Sequence, residues 1–424
     1  MPTELLTQRL PFEPLDPEAA LAQLPHGKAV FALYGEDPQA EPYIGLTADL
    51  RRRLERLLRP AKGQTKRLQL VSRVRQIAWR ETGSEFESHL VQFALLEQAF
   101  GLKALERMKL RSPAFVRFHG GNPYPRLTIT NKPNWKEAQW AFGPFPSRAA
   151  AERYADEMLK LFLLRRCEFN LDPDPAFPGC VYSEMKMCLA PCFKGCTEER
   201  YAEEAEAVLS FLATHGESKL AQIRTERDRA SEELEFEEAA RLHALHEKVQ
   251  GVSNLAPELV HPLSELRAVV FQSSGTPDEV SVFLYQDGEL RGPAPFSTLG
   301  MRIQNEQSGS SSLYAQPMAV EAVPETAPES EPGAPTKAPR GMLESRMESV
   351  LATLGEARPQ PNSTVRQAHL ALLTRWYYRP AQKRAGEVCF PAAAEPALPI
   401  KSWPIKSLRS MLRSVGRVAA AQLR

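Results

Sequence analysis

The chain has 424 residues, 43% of them hydrophobic, which is room for roughly two to four domains with real cores and too apolar for a chain disordered throughout. A formal net charge of +1, from 53 basic and 52 acidic residues, excludes a globally basic nucleic-acid binder, although phosphates feel local charge and not the sum. No apolar run approaches the roughly 18 residues of a membrane span, and the N-terminal stretch MPTELLTQRLPFEP lacks the features of a secretory signal, so a cytoplasmic protein without membrane contact is expected.

Residues 1–26 are Pro-rich and read as an irregular lead-in, with a short helix over 17–24 for which Asp16 would be the N-cap. KAVFALYG and EPYIGLT read as two strands of a hairpin, joined through the turn formers of GEDPQA. ADLRRRLERLLRP follows, with Leu50, Leu54, Leu57 and Leu58 at helical spacing and Arg51, Arg52, Arg53, Arg56 and Arg59 on the remaining faces. A solvated helix surface is the simple use of such a run. Lys62, Lys66, Arg67, Arg73, Arg75 and Arg80 extend the positive field, however, and make it an electrostatic footprint for a nucleic-acid backbone, with Arg51, Arg52, Arg56, Lys66 and Arg67 as the candidate DNA contacts.

NPYPRLTIT reads as an extended strand, and AFGPFPS as a turn into a long amphipathic helix capped by Ser147. That helix leads to a stretch, 164–196, that holds five of the six cysteines. Cys167, Cys180, Cys188 and Cys192 are spaced C-x12-C-x7-C-x3-C. Without a secretory signal, disulfides are an unexpected use of these thiols, which leaves metal ligation or plain burial. A thiolate set takes soft metals, so zinc and iron–sulfur both stay open, and the wide first gap is unlike a CxxC…CxxC zinc knuckle. Cys196 reads as a spare thiol and Cys389 as an isolated packing residue.

EERYAEEAEAVLSFLATHG reads as a helix that stops at Gly216, and KLAQIRTERDRASEELEFEEAARLHALHEKVQGV has the composition of a helical hairpin or coiled coil. His243 and His246, three apart, read as surface positions. AVVFQSS and VSVFLYQDGELRGPAPF alternate as strands, with a turn at Asp287-Gly288. The Pro-, Ser-, Ala- and Glu-rich residues 303–340 read as a disordered tether, and three helices close the sequence, the last one basic.

Several of these stretches resemble one family. The hairpin carrying YIG, followed by the arginine-bearing helix, resembles the GIY-YIG endonuclease fold, and more specifically the N-terminal domain of the UvrC excinuclease family. Ala29, Val30 and Phe31 stand at its first motif, Tyr43, Ile44 and Gly45 at its second, and Arg53 at the arginine that steadies the scissile phosphate. The resemblance also implies losses. Phe31 replaces a tyrosine and has no hydroxyl to exchange a proton, and Leu46 replaces a lysine. In SEFESHLVQ, Gln92 falls where a glutamate holds the divalent metal, a poor exchange toward magnesium, and Val116 falls where an asparagine closes the domain. A shifted register through ALLEQAF would bring Glu97 to the metal position. The nuclease is therefore expected to be degenerate. In the alternative reading Tyr43, Arg53 and Glu97, with magnesium or manganese, still make one incision 3′ to a lesion.

The strand at 122–130, the FGPFPS segment and the cysteine spacing also resemble UvrC, which implies a [4Fe-4S] cluster on Cys167, Cys180, Cys188 and Cys192, with zinc as the alternative. ASEELEFEEAARLHALHEKV resembles the UVR motif. It implies docking on a hairpin of the UvrB helicase through Leu234 and Phe236, with Ala239, Ala240, Leu242 and Leu245 as the face behind them, and indirect contact with a UvrA–UvrB–DNA complex. The strands after it resemble the entry to a ribonuclease-H-like half, but no Asp/Asp/His constellation with a supporting sheet and no helix-hairpin-helix pair follow.

The expected fold class is α+β: a small GIY-YIG-like sheet-and-helix domain, a cysteine-rich metal site, a UVR-like helical hairpin, a small β segment and a helical C-terminal region. The expected divisions are a lead-in at 1–26, the degenerate nuclease domain at 27–118, the strand, helix and cluster-binding region at 119–197, the helical region with the hairpin at 198–252, the β region at 253–302, the linker at 303–341 and the helical region at 342–424. The expected function is a UvrC-like excision-repair protein that binds damaged DNA or UvrB–DNA complexes without cutting; a DNA-binding scaffold outside repair is the remaining alternative.

Overall fold

The computed structural model describes residues 5–37, 39–59, 70–301, 340–391 and 403–423. Lys62, Lys66, Arg67 and nearly all of the expected tether lie outside these residues.

Gln8–Pro11 (β1) is followed by Pro17–Leu21 (α1), and Ala29–Tyr34 (β2) and Tyr43–Thr47 (β3) form the expected antiparallel hairpin, with Phe31 opposite Gly45. Leu50–Leu58 (α2), the single turn Leu70–Arg73 (α3) and Gln76–Glu81 (β4) complete a sheet ordered β1-β4-β2-β3. The lead-in is thus part of this sheet, since Leu10 in β1 lies opposite Ile77 in β4, and the Asp16 side chain does not cap α1.

The strand β2 is apolar throughout because both of its faces are covered. Ala29, Phe31 and Leu33 pack with Leu50, Leu54 and Leu58 of α2, whereas Val30 and Ala32 meet Val91 and Leu95 of Glu85–Phe100 (α4). α4 is capped by Ser84 and has no polar stripe. Its other side, Phe86, Leu90, Phe93 and Leu96, is committed to a second core, so both of its faces are buried.

After Ala104–Arg107 (α5), the strands Ala114–Phe118 (β5), Leu127–Thr130 (β6) and Ala141–Phe145 (β7) are joined by the distant His261–Pro262 (β8) in the order β6-β5-β7-β8. AFGPF is therefore a strand and not the turn its glycine and proline suggested. Arg148–Met158 (α6), capped by Ser147 Oγ, leads through the cysteine stretch and the short Val181–Glu184 (α7) to Glu198–Ala213 (α8). Phe142, Phe145, Tyr154, Met158, Tyr201 and Phe211 fill the core between this sheet and its helices. Glu217–Glu232 (α9) and Phe236–Ser253 (α10) then form the helical hairpin.

Ala268–Ser273 (β9), Glu279–Gln286 (β10) and Glu289–Ser297 (β11) form a meander. Asp287 and Gly288 both take left-handed φ, 54° and 83°, the primed turn that this dipeptide signals. The C-terminal region is not a separate helical unit. It supplies Arg340–Gly355 (α11), Ser363–Tyr377 (α12), the strand Glu387–Cys389 (β12) and Ile405–Gln422 (α13). β12 pairs beside β9, Val388 opposite Val270, to give the order β11-β10-β9-β12. Met347, Leu351, Met411 and Val415 of α11 and α13 cover one face of that sheet, and Leu373 and Trp376 of α12 the other. The expected small β region is thus a sheet that β12 extends to four strands, and β9 itself, AVVFQS, carries no carboxylate.

The helix α4 joins the first and third sheets. The Phe86 ring lies 5.1 Å from that of Phe283 and 5.3 Å from that of Trp376, and the Glu85 carboxylate takes two hydrogen bonds from Arg379 at 2.8 and 2.9 Å. At this junction a Cβ on Gly83 would stand 2.4 Å from the Ser273 carbonyl oxygen, so only glycine fits. Helices and antiparallel strands are thus mixed as an α+β fold, and among the described residues no helix is long and apolar enough to cross a membrane.

Buried imidazoles give this fold an acid limit. His369 is 8% exposed, its Nδ1 accepts the Leu290 N–H at 3.0 Å, and burial pulls its pKa down to about 4. His215, also brought to about 4 by burial, faces the His261 ring at 4.8 Å. Both are neutral when folded and titrate near 6.5 when unfolded, so their stabilisation is complete above about pH 6.5 and is lost as pH falls from there toward 4, at roughly 1.4 kcal/mol per pH unit for a fully buried ring. Urea midpoints measured across this window should fall, and His369→Gln, which keeps an acceptor for Leu290, should flatten part of the slope. An identical slope in the variant would rule His369 out as a contributor.

Candidate functional site

Of the residues that the sequence offered as a nuclease site, Phe31 and Tyr43 lie on the first sheet, Arg53 on α2, Gln92 on α4 and Val116 on the second sheet. Phe31 is fully buried, its ring 6.1 Å from that of Tyr43, and a Cβ on Gly45 would stand 2.8 Å from its Cζ. Tyr43 is half-buried on the face that α2 covers. On α2, Arg53 is half-buried and Arg52 and Arg56 exposed, all three without a side-chain partner among the described residues. Arg51 lies 3.6 Å from Glu55, and Arg59 is held by Glu18 at 2.9 Å and Glu55 at 3.5 Å. Leu46 packs on the opposite face with Val91 and Leu95.

Gln92 is half-buried on α4, and its amide has no partner among the described residues. Glu97 lies five positions further on, about 140° round the helix at 3.6 residues per turn. Glu97 is half-buried as well, so the two side chains leave the helix on different faces. Val116 is in β5 of the second sheet, opposite Ile129 and Phe142, and belongs to another core. A carboxylate that the sequence did not signal is Glu87, 5% exposed, whose Oε2 accepts the Gly83 N–H at 3.0 Å while Oε1 lies 3.5 Å from Arg80. Burial raises its pKa against those two partners.

The cysteines are brought together from three short segments. Leu163 and Leu164 lead from α6 toward Cys167, Cys180 precedes α7 with its N–H donated to Ser183 Oγ at 2.9 Å, and CLAPC is tied back by the Leu189 N–H to the Leu163 carbonyl at 3.0 Å. Left-handed φ at Ala190 and Lys194, 54° and 59°, curls the chain round Cys192, whose carbonyl accepts the Asp174 N–H at 2.9 Å. Burial raises the Cys188 thiol above its ordinary pKa, the Ala190 N–H opposes this, and Cys180, Cys192 and Cys167 add to the rise. Cys192 is raised likewise by burial and then by Cys180, with a further contribution from Cys167. Among the described residues, no group of three or more His, Cys, Asp or Glu side chains is gathered closely enough to hold a metal ion.

Beside them lies a residue that no local pattern had singled out. Arg165, 1% exposed, donates from Nε to the Tyr124 carbonyl at 2.9 Å and from Nη1 to the Phe169 carbonyl at 2.8 Å, with Nη1 3.6 Å from Cys167 Sγ. Its buried Nη2 has no acceptor.

At the tip of the α9–α10 hairpin, Leu234 takes a left-handed φ of 60°, and the Glu235 N–H closes on the Ala230 carbonyl at 2.8 Å. This turn leaves Leu234 69% and Phe236 68% exposed. Ala230 and Leu242 are buried behind them, with Ala239 and Leu245 partly so. Ala240 faces solvent and does not belong to the backing face. His243 is exposed beside Glu247, a surface position as expected.

The family model for the UvrC/Cho excinuclease, middle domain, matches residues 114–211, the stretch from β5 through the cysteines into α8. The chain is 30% identical over 212 residues to the UvrABC system protein C of Shigella dysenteriae serotype 1 (strain Sd197), half of this chain and 36% of that one. The chain is thus similar to UvrC proteins over half of its length, and to the UvrC/Cho middle domain over residues 114–211. The UvrABC system protein C of Escherichia coli (strain K12 / DH10B) shows the same identity over the same length, 34% of its own chain. The chain thus spans about a third of the length of the UvrC relatives it matches. No solved structure matches it.

The group that the likeness to UvrC implies can be tested on the chain's own atoms. Four thiols of one neighbourhood are the right donors for a soft metal. Arg165 Nη2 is a buried donor with no hydrogen-bond partner among the described residues. The donor type suits such a group, but among the described residues these side chains are not gathered closely enough to hold a metal ion.

Proposed function

We propose that this chain acts in nucleotide excision repair as a UvrC-like protein that binds damaged DNA or UvrB–DNA complexes and does not itself cut. The observation that carries the non-cutting reading is Phe31, a fully buried ring where the reaction needs a hydroxyl, combined with an amide at Gln92 on the helix that would present the metal carboxylate. Water attack on a phosphodiester needs a group to take a proton and a cation to offset charge on the phosphate. With Gln92 in place, magnesium or manganese has no carboxylate to bind there. Arg52, Arg53 and Arg56 on α2, without a side-chain partner among the described residues, remain able to contact phosphate.

Leu234 and Phe236 at the hairpin tip are the proposed contacts with UvrB, and UvrA is reached only through the assembled complex. At the cysteine stretch, Cys167, Cys180, Cys188 and Cys192 would hold a [4Fe-4S] cluster, with zinc as the alternative. When bound it would hold three chain segments together. The third sheet with its covering helices supplies no Asp/Asp/His group among the described residues, and the proposal includes no second cut.

The deciding experiment is strand incision of a lesion-bearing duplex with UvrA, UvrB, ATP and magnesium or manganese. The expected result is no incision above the level without this chain, with retained binding to the UvrB–DNA complex, for wild type and Arg53→Ala alike. Cutting by wild type that Arg53→Ala abolishes would establish a live 3′ nuclease instead. Equal binding to undamaged duplex with no response to UvrB would point to a scaffold outside repair.

A further inference from the structure

Two exposed surfaces of this chain are opposite in charge and alike in carrying apolar side chains. The first is the tip of the α9–α10 hairpin. From Ala230 to Ala240 it carries Glu232, Glu233, Glu235, Glu237 and Glu238 and no lysine or arginine. Glu238 pairs with Arg241 at 2.5 Å, whereas the other four are exposed and have no side-chain partner among the described residues. Leu234 and Phe236 stand among them, 69% and 68% exposed. An apolar pair inside an acidic collar is complementary to a cleft with an apolar floor and a basic rim.

The helix α13 borders such a cleft. It has no aspartate or glutamate, and Lys406, Arg409 and Arg413, at i, i+3 and i+7, lie exposed on one face while Leu408, Met411 and Val415 are buried on the other. Between that face and α11 runs a cleft of about 510 Å³, lined by the three cations with Leu343, Glu344 and Leu412. Glu344 holds Arg409 at 3.0 Å, and Lys406 and Arg413 have no side-chain partner among the described residues. The chain neighbours of Leu343 and Lys406, Met342 and Ile405, are 54% and 56% exposed and widen the apolar surface. Tip and cleft are both exposed, so they do not meet within one molecule.

We propose that the occupant of this cleft is a second copy of the chain: Leu234 and Phe236 of one molecule dock between α11 and α13 of the next, with the tip glutamates against Lys406 and Arg413. The contact is heterologous, so a tip and a cleft stay free at the two ends and copies add head to tail. It occupies the tip that the reading above offers to UvrB, and self-association would withhold the chain from that partner. The contact itself does not require UvrB.

Sedimentation equilibrium of the full chain across the micromolar range, without UvrB or DNA, is the test. The mean mass of wild type should rise with concentration and fall as added salt screens the charges. Phe236→Ala and Lys406→Glu/Arg413→Glu should each weaken association roughly tenfold or more. Their thermal midpoints should match wild type, because all three side chains are exposed. A mixture of the two variants decides the geometry. Phe236→Ala keeps an intact cleft and the double variant an intact tip, so together they should form a one-to-one complex that neither forms alone, within a few-fold of the wild-type affinity. A wild type that stays monomeric throughout overturns the proposal, as does a mixture that forms no complex. Association lost in Phe236→Ala but kept in the double variant means tips pairing with tips, and overturns the cleft as their site. A labelled duplex whose binding is lost in the double variant, with self-association intact, assigns the basic face to nucleic acid instead. Failure of the chain to bind UvrB leaves every one of these outcomes readable.

Discussion

Cys188→Ser should take iron or zinc from near stoichiometric to near zero and lower the thermal midpoint of the whole chain. Cys188 is the right cysteine to change because its thiol feels each of the other three, Cys180, Cys192 and Cys167. A serine oxygen is a hard donor and a poor substitute for thiolate toward a soft metal. The stability effect should be large. Thiolate-bound metal contributes on the order of 10 kcal/mol to small domains that depend on it, and here the loop ties Leu163 to Leu189 and Asp174 to Cys192 with little regular structure of its own. Metal analysis and thermal melts of wild type, Cys188→Ser and Cys389→Ser check this. Cys389, in β12 beside Ser414 at 3.3 Å, is far from the loop in sequence and belongs to the third-sheet core, so its variant should keep full metal. Unchanged metal content in Cys188→Ser would sink the ligand assignment.

Phe236→Ala should weaken binding to UvrB by about 2 kcal/mol, roughly thirtyfold in Kd, without altering the stability of the free protein. The asymmetry follows from exposure. Phe236 and Leu234 are 68% and 69% exposed, so in isolation they contribute little to the fold, and burial against a partner is where their apolar area counts. Leu242→Ala is the contrasting variant. That residue is 3% exposed between the helices, and its loss should destabilise the hairpin itself and reduce binding only as a consequence. Calorimetric titration of UvrB, with thermal melts alongside, separates the two effects. An unaltered affinity for Phe236→Ala would count against docking through this tip.

The readings that held share one property: their cause lies within a few residues. The β2–β3 hairpin follows from two apolar runs across a turn, the α2 helix from apolar spacing, the α6 helix from the side-chain cap of Ser147, and the β10–β11 turn from Asp287-Gly288. The exposed tip at Leu234 and Phe236 is of the same kind, since a helix break with two large apolar residues and no apolar neighbours in register has nothing local to bury them. AFGPF failed as a turn because glycine and proline were weighed locally, whereas the strand is made by pairing across to Val116 and His261.

The sequence by itself determined the local elements, the cysteine spacing, and the identities at Phe31 and Gln92, because each depends on residue type and short-range period. The tertiary structure alone decided that β1 leaves the lead-in to pair with β4, that β12 crosses from the C-terminal region to β9, and that α4 is buried on both sides between the first and third sheets. It also put Val116 in the core of the second sheet, set Glu97 and Gln92 on different faces of α4, and buried Arg165 against Cys167. Strand partners far apart in sequence, and the surroundings of a long polar side chain, are set by which surfaces meet, and no local pattern of residues records that.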